Sequence, residues 1–176
     1  MEIKMFVTTQ KEYEKNSDGV KGVDLVLPMD NKDLENLLIW LADGDVSIIH
    51  NPDNWTIVKF EHNFITDIKL AECTDIFAIN NMAQQIDDLS SYDEERLASI
   101  IVGMGYNSIY EILEYLEKLD NVTFYPNMTL RDIAHKMVEE CNNLPETAKR
   151  YFDYDSFARD LEYDGYIETD WGVIYE

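Results

Sequence analysis

The stretch Tyr151-Phe152-Asp153-Tyr154-Asp155-Ser156-Phe157-Ala158-Arg159-Asp160-Leu161-Glu162-Tyr163-Asp164-Gly165 decides how the chain is read. Asp153 or Asp155 can cap a helix running to about Tyr163, and Asp164-Gly165 ends it. Ile167 and Val173-Ile174-Tyr175 then predict a closing hairpin around Asp170-Trp171-Gly172. Five acids crowd this window, Asp153, Asp155, Asp160, Glu162 and Asp164, with Arg159 as the only cation. Asp153-x-Asp155 has the spacing of the first two ligands of a calcium loop. A third oxygen ligand would fall on Phe157 and the required glycine on Ala158, so a capped helix accounts for these residues better.

Upstream, Val122 to Tyr125 predicts a strand stopped by Pro126. Thr129 and Asp132 are placed to cap a helix from Leu130 to about Cys141, broken by Asn142 to Pro145. The middle of the chain is helical. Thr74 can cap a helix to about Leu89, with Ile76, Ile79, Ala83 and Ile86 on one face. Ser91-Tyr92-Asp93-Glu94 predicts a second capped start, for a helix closed by Gly103-Met104-Gly105. Ser108-Ile109-Tyr110-Glu111 repeats the device, and Ile109, Ile112, Leu113 and Leu116 continue as an apolar stripe at helical spacing.

The first third alternates. Ile3 to Thr8 and Val23 to Leu27 predict strands, with a turn at Ser17-Asp18-Gly19. Pro28-Met29-Asp30 opens a helix with Leu34, Leu37, Leu38 and Leu41 on one face, ended by Asp43-Gly44-Asp45. Val46 to Ile49 and Trp55 to Phe60 predict further strands, separated by Asn51-Pro52-Asp53-Asn54. The expected fold is α+β, an elongated body of three small domains: N-terminal α+β at 1–64, a helical bundle at 65–120, and C-terminal α+β at 121–176.

Charge is the strongest functional signal. Thirty-six acidic residues face fourteen basic ones, a net charge of -22 on 176 residues. The three segments carry -6, -9 and -7, so the charge is spread along the chain rather than held in a tail. With 45% hydrophobic and 12% aromatic residues, this is a folded body with a negative surface. Such a surface is repelled by nucleic acid and by anionic membranes, and its natural partner is basic. No apolar run approaches the roughly 20 residues that span a bilayer. Cys73 and Cys141 fit no metal-ligand spacing, and with no secretory signal the expectation is reduced thiols in a cytoplasm.

Catalytic patterns are weak: there is no Gly-rich phosphate loop, no H-E-x-x-H and no G-x-S-x-G. His50, His62 and His135 are scattered and read as structural or surface residues. Neither a cofactor nor a metal is expected. The acids remain as the one constellation. Glu111, Glu114 and Glu117 lie off the Ile109 stripe, and Asp87, Asp88, Asp93, Glu94 and Glu95 bracket a helix junction. Singly, each is explained as the solvated face of an amphipathic element. Together they invite comparison with duplex DNA, in which 22 charges occupy about 37 Å, or about 11 base pairs. Acids three residues apart on one helix are about 4.5 Å apart along its axis, so DNA-like density needs adjacent helices or two protomers.

The quoted stretch resembles the C-terminal signature of the ArdA antirestriction family. An aromatic-x-Asp-Tyr pattern followed by Arg-Asp-Leu matches Tyr151 to Leu161, and Gly165 to Tyr175 supplies the expected turn and closing strand. Met128 to Glu140 and Pro145 also fit, whereas the first third matches more loosely, with Val23-Asp24 where the family often has an aromatic residue. The resemblance implies three small domains in a curved body and a homodimer formed through the C-terminal domain. It also implies a surface that mimics bent DNA and occupies the DNA groove of type I restriction-modification enzymes, protecting an incoming mobile genetic element. Asp153, Asp155, Arg159 and Asp160 match the signature, and Arg159 has Asp155 and Glu162 in pairing range. An acidic adaptor for another basic nucleic-acid-binding protein is the alternative, and a metal-dependent enzyme built on carboxylates a distant third.

Overall fold

A computed structural model describes residues 1–15, 20–68, 75–106, 108–141 and 143–176. In chain order the elements are β1 (Ile3–Thr9), α1 (Gln10–Lys15), β2 (Gly22–Leu27), α2 (Asn31–Leu41), β3 (Trp55–His62), α3 (Ile76–Asp87), α4 (Ser91–Met104), α5 (Ile109–Glu117), β4 (Thr123–Pro126), α6 (Leu130–Glu140), α7 (Glu146–Arg150), α8 (Tyr154–Tyr163), β5 (Ile167–Thr169) and β6 (Gly172–Tyr175). The fold is α+β, with two three-stranded sheets. Backbone contacts divide the chain into two compact units, 1–89 with 107–116, and 90–106 with 117–176.

In the first unit β1 lies between β2 and β3, antiparallel to both. Alternation along the strands sends Ile3, Met5, Val7, Leu25 and Leu27 to one buried face. Leu34, Leu38 and Leu41 of α2 and Ile76, Ile79, Met82, Ala83 and Ile86 of α3 are the buried apolar residues of those helices, at helical spacing. Asp30 caps α2, accepting from the N–H groups of Lys32 and Asp33. The helix ends in left-handed backbone at Asp43 (φ 51°) and Gly44 (φ 87°).

Val46–Ile48 is a single 3-10 turn, not the strand expected over Val46 to Ile49. The carboxylate of Asp45 accepts from the Ser47 N–H at 3.0 Å and from its hydroxyl at 2.6 Å, a local closure that an extended strand could not keep. Pro52–Asn54 forms another such turn, and the buried indole of Trp55 donates to the Ile49 carbonyl at 3.1 Å. The turn expected at Ser17-Asp18-Gly19 lies outside the described residues, as do Thr74, Cys73 and Asn142. The described cap of α3 is Asp75, which accepts from the Ala78 N–H.

In the second unit β6 lies between β4 and β5. This sheet is covered on both faces, which is why Gly172, Val173 and Ile174 are buried in succession. Val173 packs with Ile133 and Ala134 of α6 and Leu161 of α8, while Ile174 points the other way, toward Gly103 of α4. Gly103 is an interior residue of α4, and only Gly105, at φ 74°, caps it. A Cβ at position 103 would press on Ile167 at 2.9 Å, so its absence lets the helix approach the sheet. Ser90, not Ser91, caps α4: its hydroxyl accepts from the Asp93 N–H at 3.2 Å and donates to the Asp93 carboxylate at 2.8 Å. Both serines have an acid three residues on, so the sequence offers two registers and the fold uses the first.

Candidate anionic binding surface

The acids singled out in the sequence divide by what their carboxylates do. Several are engaged within the chain. Asp87 accepts from the Met1 amino group at 2.6 Å. Asp93 accepts from the hydroxyl of Ser90, the cap of α4, and pairs with Arg96 at 3.0 Å. Glu111 closes the start of α5, accepting from the Ser108 N–H at 3.1 Å and its hydroxyl at 2.7 Å. Asp153 caps α8, accepting from the Ser156 N–H at 3.0 Å and its hydroxyl at 2.8 Å. Those two bonds, the N–H first, hold its carboxyl below the ordinary carboxylate range. Asp155 pairs with Arg131 of α6 at 3.0 Å.

The others differ in exposure. Asp88, Glu114, Glu117, Asp160, Glu162 and Asp164 are exposed, and Glu94 and Glu95 half-exposed. The side chains of Asp160, Glu162 and Asp164 make no hydrogen bond or ion pair among the described residues, so Asp160 and Glu162, on opposite flanks of α8, and Asp164 at its C-terminal cap are exposed carboxylates available to a partner. Arg159 pairs with none of these three carboxylates. Its guanidinium donates to the main-chain carbonyl of Asp155 at 3.3 Å and to the Ser156 hydroxyl at 3.1 Å. The role expected for Arg159 is therefore met by backbone and hydroxyl oxygens rather than by the Asp155 or Glu162 carboxylates.

Cations in this chain are largely committed to its own acids. Lys149 is 8% exposed, donates to the Glu139 carbonyl at 3.0 Å, and lies 3.6 and 3.5 Å from the Glu139 and Glu146 carboxylates. Desolvation disfavours its charge, but the two carboxylates outweigh it and raise its pKa. Arg96 is held by Asp93, the Leu119 carbonyl and the face of Tyr92. Lys4 pairs with Glu2, Lys59 with Glu61 and Lys21 with Asp43. Exposed pairs of this kind contribute little stability but tie down the positive charge.

Nineteen acidic and seven basic residues belong to the first unit, seventeen and seven to the second. Each unit is therefore strongly anionic by itself. A family model described as antirestriction protein (ArdA) matches residues 5–175. The chain belongs to the ArdA antirestriction family. No curated protein matches it. For this family member, no group of three or more His, Cys, Asp or Glu side chains among the described residues is placed to hold a metal ion. Among those same residues no helix is long and apolar enough to cross a membrane. His135 stacks on Tyr154 with ring centroids 3.6 Å apart, and His50 packs against Phe77.

Sequence reasoning passed over the exposed face of α2 and the acidic turn that follows it. Asp33, Asn36 and Trp40 are exposed there, followed by exposed Asp43 and Asp45. The signal was present: Trp40 falls six residues after Leu34, off the buried Leu34/Leu38/Leu41 stripe, so helical spacing alone puts it on the opposite side.

Proposed function

We propose that this ArdA family member is a DNA mimic that occupies the DNA-binding groove of type I restriction-modification enzymes and blocks them by competition, without chemistry. The observation that carries the reading is the coincidence of the family match over 5–175 with a net charge of -22 divided between both units. Exposed carboxylates meet the basic side chains that otherwise bind phosphate, and the substrate duplex is excluded. The acids with this role are those whose carboxylates remain free for a partner, foremost Asp160, Glu162 and Asp164. Asp153 and Asp155 serve the fold that presents them. The division at 1–64, 65–120 and 121–176, a homodimer formed through the C-terminal part, cytoplasmic action and carriage by a mobile element belong to the same proposal.

The test is direct competition. Purified protein is titrated into a type I methyltransferase core bound to labelled duplex, at several salt concentrations, with gel filtration of the free protein for its oligomeric state. Displacement that weakens as salt rises supports the reading. A duplex that stays bound at saturating protein, or displacement indifferent to salt, refutes it.

A further inference from the structure

One aromatic side chain on the first unit is already occupied by a cation. Trp40 is 61% exposed at the end of α2, while the core side of that helix is filled by Leu34, Leu38 and Leu41. An isolated apolar residue on a surface needs no explanation. This one is distinguished by the Lys21 ammonium, which lies 5.5 Å from the centre of its ring and is bonded at the same time to the Asp43 carboxylate. Ring face and carboxylate together form a two-point cation receptor: the quadrupole attracts the charge and the carboxylate accepts its proton-bearing nitrogen. Lys21 is itself 41% exposed and Asp43 83%, so solvent reaches both and the pair can exchange partners.

We infer that Trp40 and Asp43 form a docking point for an arginine or lysine side chain of the protein partner, and that Lys21 holds that place in the free chain. The inference rests on the proposed basic-groove partner and deepens it, because carboxylates alone supply charge and this site supplies an anchor. Charge complementarity fixes the occupant. Lys11 and Lys15 also lie close enough to Asp43 to act on its charge, but the chain as a whole carries -22 and favours a cationic surface, whereas a second copy would bring like charges together. Exposed tryptophan is also the side chain most often found as an energetic anchor in interfaces. On docking, a partner cation takes the ring face and Lys21 swings into water, where its charge is solvated at little cost.

The experiment uses the full chain against the methyltransferase core with labelled duplex, comparing wild type, Trp40→Ala, Trp40→Phe, Lys21→Ala and Lys32→Ala. Lys32 is exposed at the start of the same helix, and its removal measures the effect of one lost positive charge away from the ring. The expected result is about a tenfold rise in half-displacing concentration for Trp40→Ala and a smaller rise for Trp40→Phe, in keeping with the weaker cation attraction of a phenyl ring. Lys21→Ala should displace the duplex at lower concentration than Lys32→Ala does. Trp40 should also lose its acrylamide quenching in the complex, a signal readable because Trp55 is buried and Trp171 half-buried. Wild-type displacement with unchanged Trp40 variants overturns this inference and leaves the proposed function standing. Failure of the wild type to displace duplex overturns both. Quenching protection that appears in the free protein as its concentration rises assigns the face to a second copy and also overturns the inference.

Discussion

Asn80 grips the peptide of Met29 from both sides. Its Oδ1 accepts the Met29 N–H at 2.9 Å and its Nδ2 donates to the Met29 carbonyl at 2.9 Å. The same Nδ2 reaches the Asn31 side chain at 2.8 Å, and Gln84 donates to the Met29 carbonyl at 2.7 Å. Asn80 has no exposed surface, so these bonds are made where water cannot replace them. They join α3 to the segment that delivers the Asp30 cap of α2. Asn80→Leu leaves the Met29 amide unpaired and should lower unfolding free energy by roughly 2–3 kcal/mol. Asn80→Asp, which keeps the acceptor but buries a charge, should cost more. Urea denaturation reads both, and a loss under about 0.5 kcal/mol for Asn80→Leu would show that the segment is held by other contacts.

Gly172 does for the second unit what no side chain can. It begins β6 at φ 147°, and a Cβ there would run into the Tyr125 carbonyl oxygen and press on the Asn127 nitrogen at 3.0 Å. Gly172→Ala must therefore shift β6 away from β4, with an expected loss of roughly 2–4 kcal/mol. Gly44→Asn is the matched control. Gly44 is at φ 87° with nothing within 4 Å of its would-be Cβ, and asparagine tolerates left-handed backbone. Equal melting temperatures for Gly172→Ala and wild type would contradict the close approach.

Much of this was readable in the chain because the signals were short-range. The Leu34/Leu38/Leu41 stripe, the Thr129–Asp132 capping box and the hairpin around Asp170-Trp171 depend on residues a few positions apart, and each stands where expected. Misreadings occurred where a polar side chain chose between two local partners. Asp45 turned Val46–Ile48 into a helical turn, and Ser90 took the cap from Ser91. The candidate surface was less legible. Capping patterns pointed to Glu111 and to Asp153 or Asp155 without separating them from the partner-binding candidates, and the Arg131–Asp155 pair joins residues 24 positions apart on two helices, which nothing in either local window announces. The short helices α1 and α7 were missed for a related reason: six- and five-residue pieces carry too little periodicity to register.

Acid should loosen the C-terminal helices by way of their caps. The Thr129 N–H and then its hydroxyl bind the Asp132 carboxylate and hold its pKa below the ordinary 3.8. A depressed carboxyl pKa stabilises the fold above the unfolded value, and that contribution disappears as pH falls through the folded value. Asp132→Asn should therefore destabilise at pH 7, with a deficit that shrinks as pH falls below the ordinary carboxylate range. Thr129→Ala removes the other half of the box and should cost about 1 kcal/mol at neutral pH. Urea melts across pH 3–7 check both, and a pH-independent Asp132→Asn deficit would contradict the assigned cause.

Salt should act oppositely on stability and on binding. Carboxylates in excess repel one another in each unit, so screening by added NaCl should raise the melting temperature from low to moderate ionic strength. The same screening should weaken duplex displacement. Melting curves unmoved by NaCl would mean that the exposed acids are too far apart to interact.

The acids of α8 and its caps allow binding to be separated from folding within twelve residues. Asp153 spends its carboxylate on the helix start and Asp155 on Arg131, whereas Asp160, Glu162 and Asp164 direct theirs to solvent. Asp160→Asn, Glu162→Gln and Asp164→Asn combined should leave thermal stability within about 0.5 kcal/mol of wild type, since exposed unpaired residues rarely cost more. The combination should raise the half-displacing concentration about tenfold at low salt and flatten its salt dependence, because three charges facing the groove are gone. Asp153→Asn should do the reverse, lowering the melting temperature with little effect on displacement by the remaining folded protein. If the triple variant displaces duplex as well as wild type at every salt concentration, the C-terminal end of α8 is not part of the surface that meets the enzyme.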